Sequence, residues 1–245
     1  MCHRFEMLSR EEVDAAVDWL RAVRRALAGL GAGDAAAGAA MPPTFGRPAE
    51  FPLEALECYP GRECTVIAAE AAGGENAGGE ALGAADDDLS CSDLVWGVEV
   101  PWQKPLVFNA RIESALAGSG MWREAMEAGR CIVPVRAFYE TRNVEVTDFR
   151  RPQYRFAATG GTALLLAGLR LGDRFVLVTC EPDAVVGRVH SRMPLSLTAP
   201  EALAWLDRST TARDLLARHA PVPLEAQEEP APTKRPADSD QMSLF

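Results

Sequence analysis

Cys2 directly follows Met1, and its side chain is small enough for that methionine to be trimmed. Trimming leaves an α-amine and a thiol on adjacent carbons. An α-amine titrates near ~8, so a useful fraction is neutral and nucleophilic at physiological pH. Such an amine condenses with an aldehyde to an imine. The neighbouring thiol then closes a five-membered thiazolidine ring, which resists hydrolysis better than a simple imine. The cysteines at 58, 64, 91, 131 and 180 have no free amine and cannot do this. With no CxxC pair and only His3, His190 and His219 to join them, a zinc site is not expected, nor is any cofactor. Six scattered thiols in a chain of 245 residues are read as reduced rather than bridged.

The elements that must position Cys2 begin with a helix. Ser9 and Glu12 form a capping box, and Val13, Ala16, Val17, Leu20, Val23, Leu27 and Leu30 recur at three- and four-residue spacing. Gly31 and Gly33 end that stripe, and residues 31–50 read as an Ala/Gly/Pro-rich loop. From Leu94 the texture turns to short strand-like runs at 94–100, 131–139, 153–157, 162–170 and 174–180. A helix is expected over 120–128, stopped by Gly129, and another near Pro200 with Thr198 or Ala199 at its cap and Glu201 in its first turn. The pattern is α+β, a strand-rich centre with peripheral helices. One domain over 1–220 is expected, with a low-complexity insertion at about 71–93 and a disordered acidic tail over 221–245.

Hydrophobic residues make up 48% and charged residues 24%, which excludes a wholly disordered or fibrous chain. No apolar run approaches the ~20 residues of a membrane span, and the start lacks the basic-then-apolar texture of a secretory signal. A cytoplasmic protein is expected. The net charge of −10 argues at first against nucleic acid. Its distribution changes that, because residues 70–93 hold seven acids and no base, whereas 94–220 hold sixteen bases, fifteen of them Arg, against thirteen acids. The structured block is mildly basic, which permits a phosphate-binding groove.

Five blocks follow Cys2 in order: Trp96-Gly97 through Pro101-Trp102, Phe108-Asn109-Ala110-Arg111-Ile112-Glu113, Cys131-Ile132-Val133-Pro134, Phe138-Tyr139-Glu140, and His190-Ser191-Arg192-Met193-Pro194. With the Met-Cys start, this series resembles the SOS response-associated peptidase family, whose members process abasic sites in DNA. The resemblance implies a distorted, barrel-like strand core with flanking helices. It implies capture of the open-chain aldehyde of an abasic site in single-stranded DNA on Cys2, a lyase-like chemistry under a peptidase name. Asn109 would hold the N-terminus or the sugar. Glu140 would be the acid and base, and His190 would assist proton transfer to the sugar oxygen. Arg4, Arg111, Trp102 and Thr179 would meet DNA, the arginines at phosphates and Trp102 by stacking or wedging. A monomer associated with the nucleoid is expected, with no membrane partner.

Taken without that series, each residue has a plainer reading. Glu140 could face solvent from a strand, His190 could be an idle loop histidine, and Asn109 could shape a turn. Trp96 and Trp122 read as core. Three positions depart from the family pattern: His3 and Ala137 stand where it has Gly, and Thr141 where it has Trp. Two other functions stay open, a cysteine peptidase built from Cys2, His190 and Asn109, and a non-catalytic DNA- or clamp-binding adaptor. The chain ends in Gln241-Met242-Ser243-Leu244-Phe245, which resembles a sliding-clamp-binding peptide, with Gln241, Leu244 and Phe245 as its anchors.

Overall fold

A computed structural model describes residues 2–29, 41–45, 56–69, 88–118, 120–144, 151–208 and 210–229. Gly31, Gly33, most of the 31–50 loop, the insertion up to Asp87 and the three clamp-anchor residues lie outside them. Among the described residues no helix is long and apolar enough to cross a membrane.

Five strands close into a barrel. Strand β3 (Glu63–Ala69) runs antiparallel to β4 (Leu89–Trp96), and the end of β4 lies parallel to β11 (Arg174–Cys180). Next, β11 is antiparallel to β10 (Leu164–Leu171), and β10 is antiparallel to the first half of β8 (Arg130–Thr141). β8 returns to β3 where Ile132 faces Ile67. Alternation sorts the side chains of a closed sheet to its two faces. Val66, Trp96, Cys131, Val133, Leu164, Leu166, Phe175 and Leu177 pack inside. Ile67, Ile132, Leu165, Leu169 and Val176 point outward.

Helices cover that outer face. Helix α1 (Arg10–Gly29) buries Val13, Val17, Leu20 and Val23, and its capping box is present, with Ser9 N–H donating to Glu12 at 2.7 Å. Helices α2 (Ile112–Leu116) and α3 (Trp122–Ala128) follow, and Gly129 caps α3 as expected. Helix α4 (Ala199–Asp207) opens at Thr198, whose backbone N–H donates to Glu201 at 2.9 Å, and α5 (Ala212–Ala217) follows it. The indole of Trp205 in α4 lies against the barrel and donates to the Cys131 carbonyl at 3.2 Å. Trp96 is fully buried inside the barrel, packed beside Phe5 and Phe175, as the core reading expects.

The remaining strands attach to this frame. The outer half of β8 is flanked by β1 (Arg4–Met7) on one side and β9 (Gln153–Ala158) on the other, and β1 also pairs with β2 (Glu57–Cys58). A separate hairpin, β5 (Val98–Val100) and β6 (Gln103–Val107), carries Trp102 at its turn. It leads into β7 (Asn109–Arg111), which lies parallel to β11. Short β12 (Met193–Pro194) and β13 (Ser196–Leu197) pair with β11 and β10.

Two segments differ from the sequence reading. The last residues of the acidic stretch, from Leu89, belong to β4, where Leu89 is buried. Composition predicts disorder after Pro221, yet Leu224–Glu228 form β14 on the edge of β9. An open strand edge offers unpaired backbone groups, and buried Leu224 anchors the polar residues that follow it.

Gly168 faces a crowded point of the barrel interior, because a Cβ there would sit 2.8 Å from the Cys131 sulfur. Gly168→Ala is expected to destabilise the fold by about 1–3 kcal/mol, measured by urea denaturation. In a Cys131→Ala background the same substitution should cost clearly less, since the obstructing sulfur is gone.

Candidate active site around Cys2

Four elements converge on Cys2. The residue lies just before β1 and is fully buried. Asn109, at the start of β7, donates from Nδ2 to the Cys2 carbonyl at 2.7 Å and so fixes the Cys2 backbone. Glu140 projects from the outer half of β8, and His190 comes from the loop before β12. Their side chains face one another, His190 Nε2 lying 3.6 Å from Glu140 Oε2. The sequence nominated Cys2, Asn109, Glu140 and His190, and the structure brings these four together.

Burial dominates the electrostatics. Glu140 is 1% exposed, and desolvation pushes its carboxyl up to about 7, against the pull of the positive chain terminus. The Cys2 thiol is raised well above its ordinary range by burial first and by Glu140 second, with backbone groups of Arg4 and Tyr139 pulling the other way. It donates to the Arg4 carbonyl at 3.4 Å. His190 is lowered, first by burial, while its contact with the Arg192 backbone opposes that and the chain terminus and His3 add to it. The half-buried imidazole of His3 thus acts on the charge state of His190, an effect that glycine at this position lacks.

The backbone N–H of Arg192 meets His190 Nδ1 at 3.1 Å. Nδ1 lies closer still to the Arg192 carbonyl, at 2.9 Å, and in the tautomer that donates there Nε2 turns its lone pair toward Glu140. At neutral pH the site therefore holds a protonated thiol, a carboxyl near its midpoint and a neutral imidazole. Such a group of donors and acceptors can pass a proton in either direction at little cost.

The residues expected to meet DNA divide. Trp102 is 69% exposed on its hairpin turn. Arg111 is exposed, and no hydrogen bond or ion pair holds its side chain among the described residues. Arg4 instead turns into the fold. It donates from Nη1 to Gln153 at 2.6 Å, pairs with Glu57 and lies 3.8 Å over the Tyr139 ring. Thr179 is fully buried on β11 between β7 and β12, and its hydroxyl turns to the Ala110 carbonyl at 3.4 Å.

The family-pattern departures at 137 and 141 lie on β8. Ala137 is buried between β1 and β9, and Thr141 ends the strand half-buried. His219 is structural as read, its Nδ1 lying 3.1 Å from Glu201. Glu113 and Arg192 stand in the quoted blocks without a role, and they form a bidentate ion pair beside the site. Their types and order give no hint of that pairing across 79 positions.

A five-stranded barrel flanked by a strand, β1, before which a buried second-position cysteine meets Asn109, Glu140 and a loop histidine, defines the class. The SOS response associated peptidase (SRAP) pattern matches residues 1–231, and the chain belongs to that family. It is 27% identical over 137 residues to the abasic site processing protein YedK of Escherichia coli (strain K12), covering 53% of this chain and 60% of that protein. The abasic site processing protein YoqW of Bacillus subtilis (strain 168) is 28% identical over 137 residues, covering 50% of this chain and 60% of that one. The chain thus spans about three-fifths of the length of these curated relatives. A phage-related protein of Bordetella bronchiseptica superposes with a TM-score of 0.60 at 18% identity, over 93% of this chain and 94% of that one. A second B. bronchiseptica protein gives 0.57 at 19%, over 94% and 100%. These two establish the shared fold.

The raised Glu140 carboxyl carries a sign that can be read from stability. In the unfolded chain it titrates near its ordinary 4.5, and in the folded chain near 7. The cost of the buried charge is absent below the lower value, grows between the two and is complete above the upper one. Glu140→Gln removes a charge that exists only at the higher pH. Its stability relative to wild type should therefore rise between about pH 5 and about pH 8, and level off beyond. Parallel urea titrations across that range measure it.

Proposed function

We propose that this chain processes abasic sites in single-stranded DNA by forming a covalent thiazolidine crosslink through Cys2 once Met1 is removed. The observation that carries the reading is the placement of Glu140, a carboxyl poised near 7, against Cys2 and His190. The family and the abasic-site names of the relatives supply the substrate class.

The chemistry runs in two bond-forming steps. The neutral α-amine of Cys2 adds to C1′ of the ring-opened deoxyribose, and the resulting carbinolamine loses water to give an imine. The thiol then adds across the C=N bond, sulfur to carbon and its proton to nitrogen, with no redox change. Protonated Glu140 supplies the proton that turns the carbinolamine hydroxyl into departing water. Its ionised form accepts the proton that a buried thiol must lose. His190 relays protons to the sugar oxygen, and Asn109 keeps the Cys2 backbone from swinging away during the attack.

Exposed Arg111 would meet a phosphate and exposed Trp102 would stack on a base. Arg4 has no part in this contact, since Glu57, Gln153 and Tyr139 occupy it. A cysteine peptidase is less well served by the site. It requires a thiolate stabilised by a cation, whereas burial and Glu140 hold this thiol protonated.

Intact-mass analysis of Met1-trimmed protein with a single-stranded DNA carrying one abasic site tests the reaction. A heat-stable adduct is expected at the summed mass less one water, absent with Cys2→Ser and with undamaged DNA. Wild type that remains unmodified on confirmed abasic DNA sinks the crosslinking mechanism.

The C-terminal Gln241, Leu244 and Phe245 are proposed to dock on a replication sliding clamp. Removing residues 241–245 should abolish retention on an immobilised clamp while leaving adduct yield unchanged. Equal retention of the full and shortened chains refutes the docking.

A further inference from the structure

His190 reaches the site on an irregular loop, so something outside that loop must fix the ring. The short helical turn Val186–Arg188 precedes it, and the His190 N–H donates to the Val186 carbonyl at 2.9 Å. On the far side the imidazole Nδ1 lies 3.1 Å from the backbone nitrogen and 2.9 Å from the backbone oxygen of Arg192. The orientation of the ring therefore depends on where the Arg192 backbone stands.

The Arg192 side chain fixes that backbone at three points. Its guanidinium pairs with Glu113 in a two-pronged fork, Nη1 to Oε1 at 2.7 Å and Nη2 to Oε2 at 2.9 Å. Nη2 also donates to the Thr179 carbonyl on β11 at 2.7 Å. The Arg192 side chain is 14% exposed, so the fork lies against the protein rather than waving in solvent. A planar guanidinium held by two parallel bonds to a carboxylate is geometrically specific in a way that a lysine contact is not. Glu113 stands two residues after Arg111 and four after Asn109, on the segment that also secures the Cys2 carbonyl. One stretch of chain thus holds both the nucleophile and the loop that delivers the imidazole.

We propose that Glu113 is a positioning residue, which orients His190 toward Glu140 by clamping Arg192. Its effect on reaction rate rests on the crosslinking function proposed above. Its effect on the imidazole does not. The Glu113 carboxyl is itself held below its ordinary value, chiefly by the bond from Arg192, so it stays ionised throughout the working range. The rival account gives the Arg192 guanidinium to a DNA phosphate, with Glu113 as its competitor. The two predict opposite kinetics, because a positioning role lowers the rate on bound substrate whereas a competitor role governs binding.

The test compares full-length wild type with Glu113→Gln and Glu113→Asp. Glu113 is exposed, so both variants should fold, and their melting curves verify it. The first readout is NMR titration of the His190 imidazole in the DNA-free protein, its resonance identified by loss in His190→Gln. Loosening the loop alters both the burial that lowers His190 and the Arg192 contact that raises it, so in Glu113→Gln the titration should move from its wild-type position. The second readout is single-turnover adduct formation against the concentration of an abasic single strand. The saturating rate should fall about ten- to a hundredfold, with half-saturation moved by less than about twofold and partial recovery in Glu113→Asp. An unmoved His190 titration overturns the proposal, and so does an unchanged saturating rate with tighter DNA binding. If wild type forms no adduct, the crosslinking reading fails alone and the titration still decides the role of Glu113.

Discussion

Strand β8 belongs to two structures at once, and the rest of the molecule depends on that. Its first half is a stave of the barrel, paired to β10 and touching β3. Its second half runs on between β1 and β9. At 12 residues it is about twice the usual strand length, and nearly every residue along it is buried. Between the halves the pairing with β1 shifts register, from Val135 opposite Met7 to Ala137 opposite Glu6, and the inward face passes from Cys131, Val133 and Val135 to Phe138, so this irregularity sets where Glu140 points. A slip by one residue would move both sets to the wrong face.

The outer half of β8 also shows how this fold keeps charge out of water. Glu6 is fully buried, yet Arg155 grips it through Nε and Nη2, both at 2.9 Å, and the Tyr139 hydroxyl donates to it. That carboxylate is matched by a cation and hydrogen bonds, as buried charge must be. Glu140 is the next residue along from Tyr139 and points to the other face, where an imidazole rather than an arginine meets it. The two glutamates share a strand ladder and a depth of burial. The partner on each face pairs one with a cation and leaves the other able to exchange its proton.

Elements with strong local signals were legible in the sequence. The α1 stripe, the Ser9–Glu12 box, the Gly129 stop and the Thr198 cap all rest on contacts within a few residues. Of the barrel strands, β8, β10 and β11 declared themselves by apolar runs, whereas β3 and most of β4 did not. Strands β1, β7 and β14 did not, because three to five residues carry too little periodicity and their pairing is a property of the edge they join. β14 reads as acidic tail and becomes strand only because β9 is open beside it. At the site, type and order within the quoted blocks nominated Cys2, Asn109, Glu140 and His190. The direction of Arg4 was hidden, since its partners Glu57 and Gln153 lie 53 and 149 residues away. The same distance effect concealed the partner of Arg192 and the covering of Thr179.

The burial of Cys2 has a consequence for the life of the resting protein. Oxidation of cysteine proceeds through the thiolate and favours exposed sulfur. A thiol with no surface to solvent, and with its ionisation suppressed by a neighbouring carboxyl, is a poor target for peroxides and stray electrophiles. The fold therefore acts as a preservative: a sulfur kept so far from solvent can age slowly.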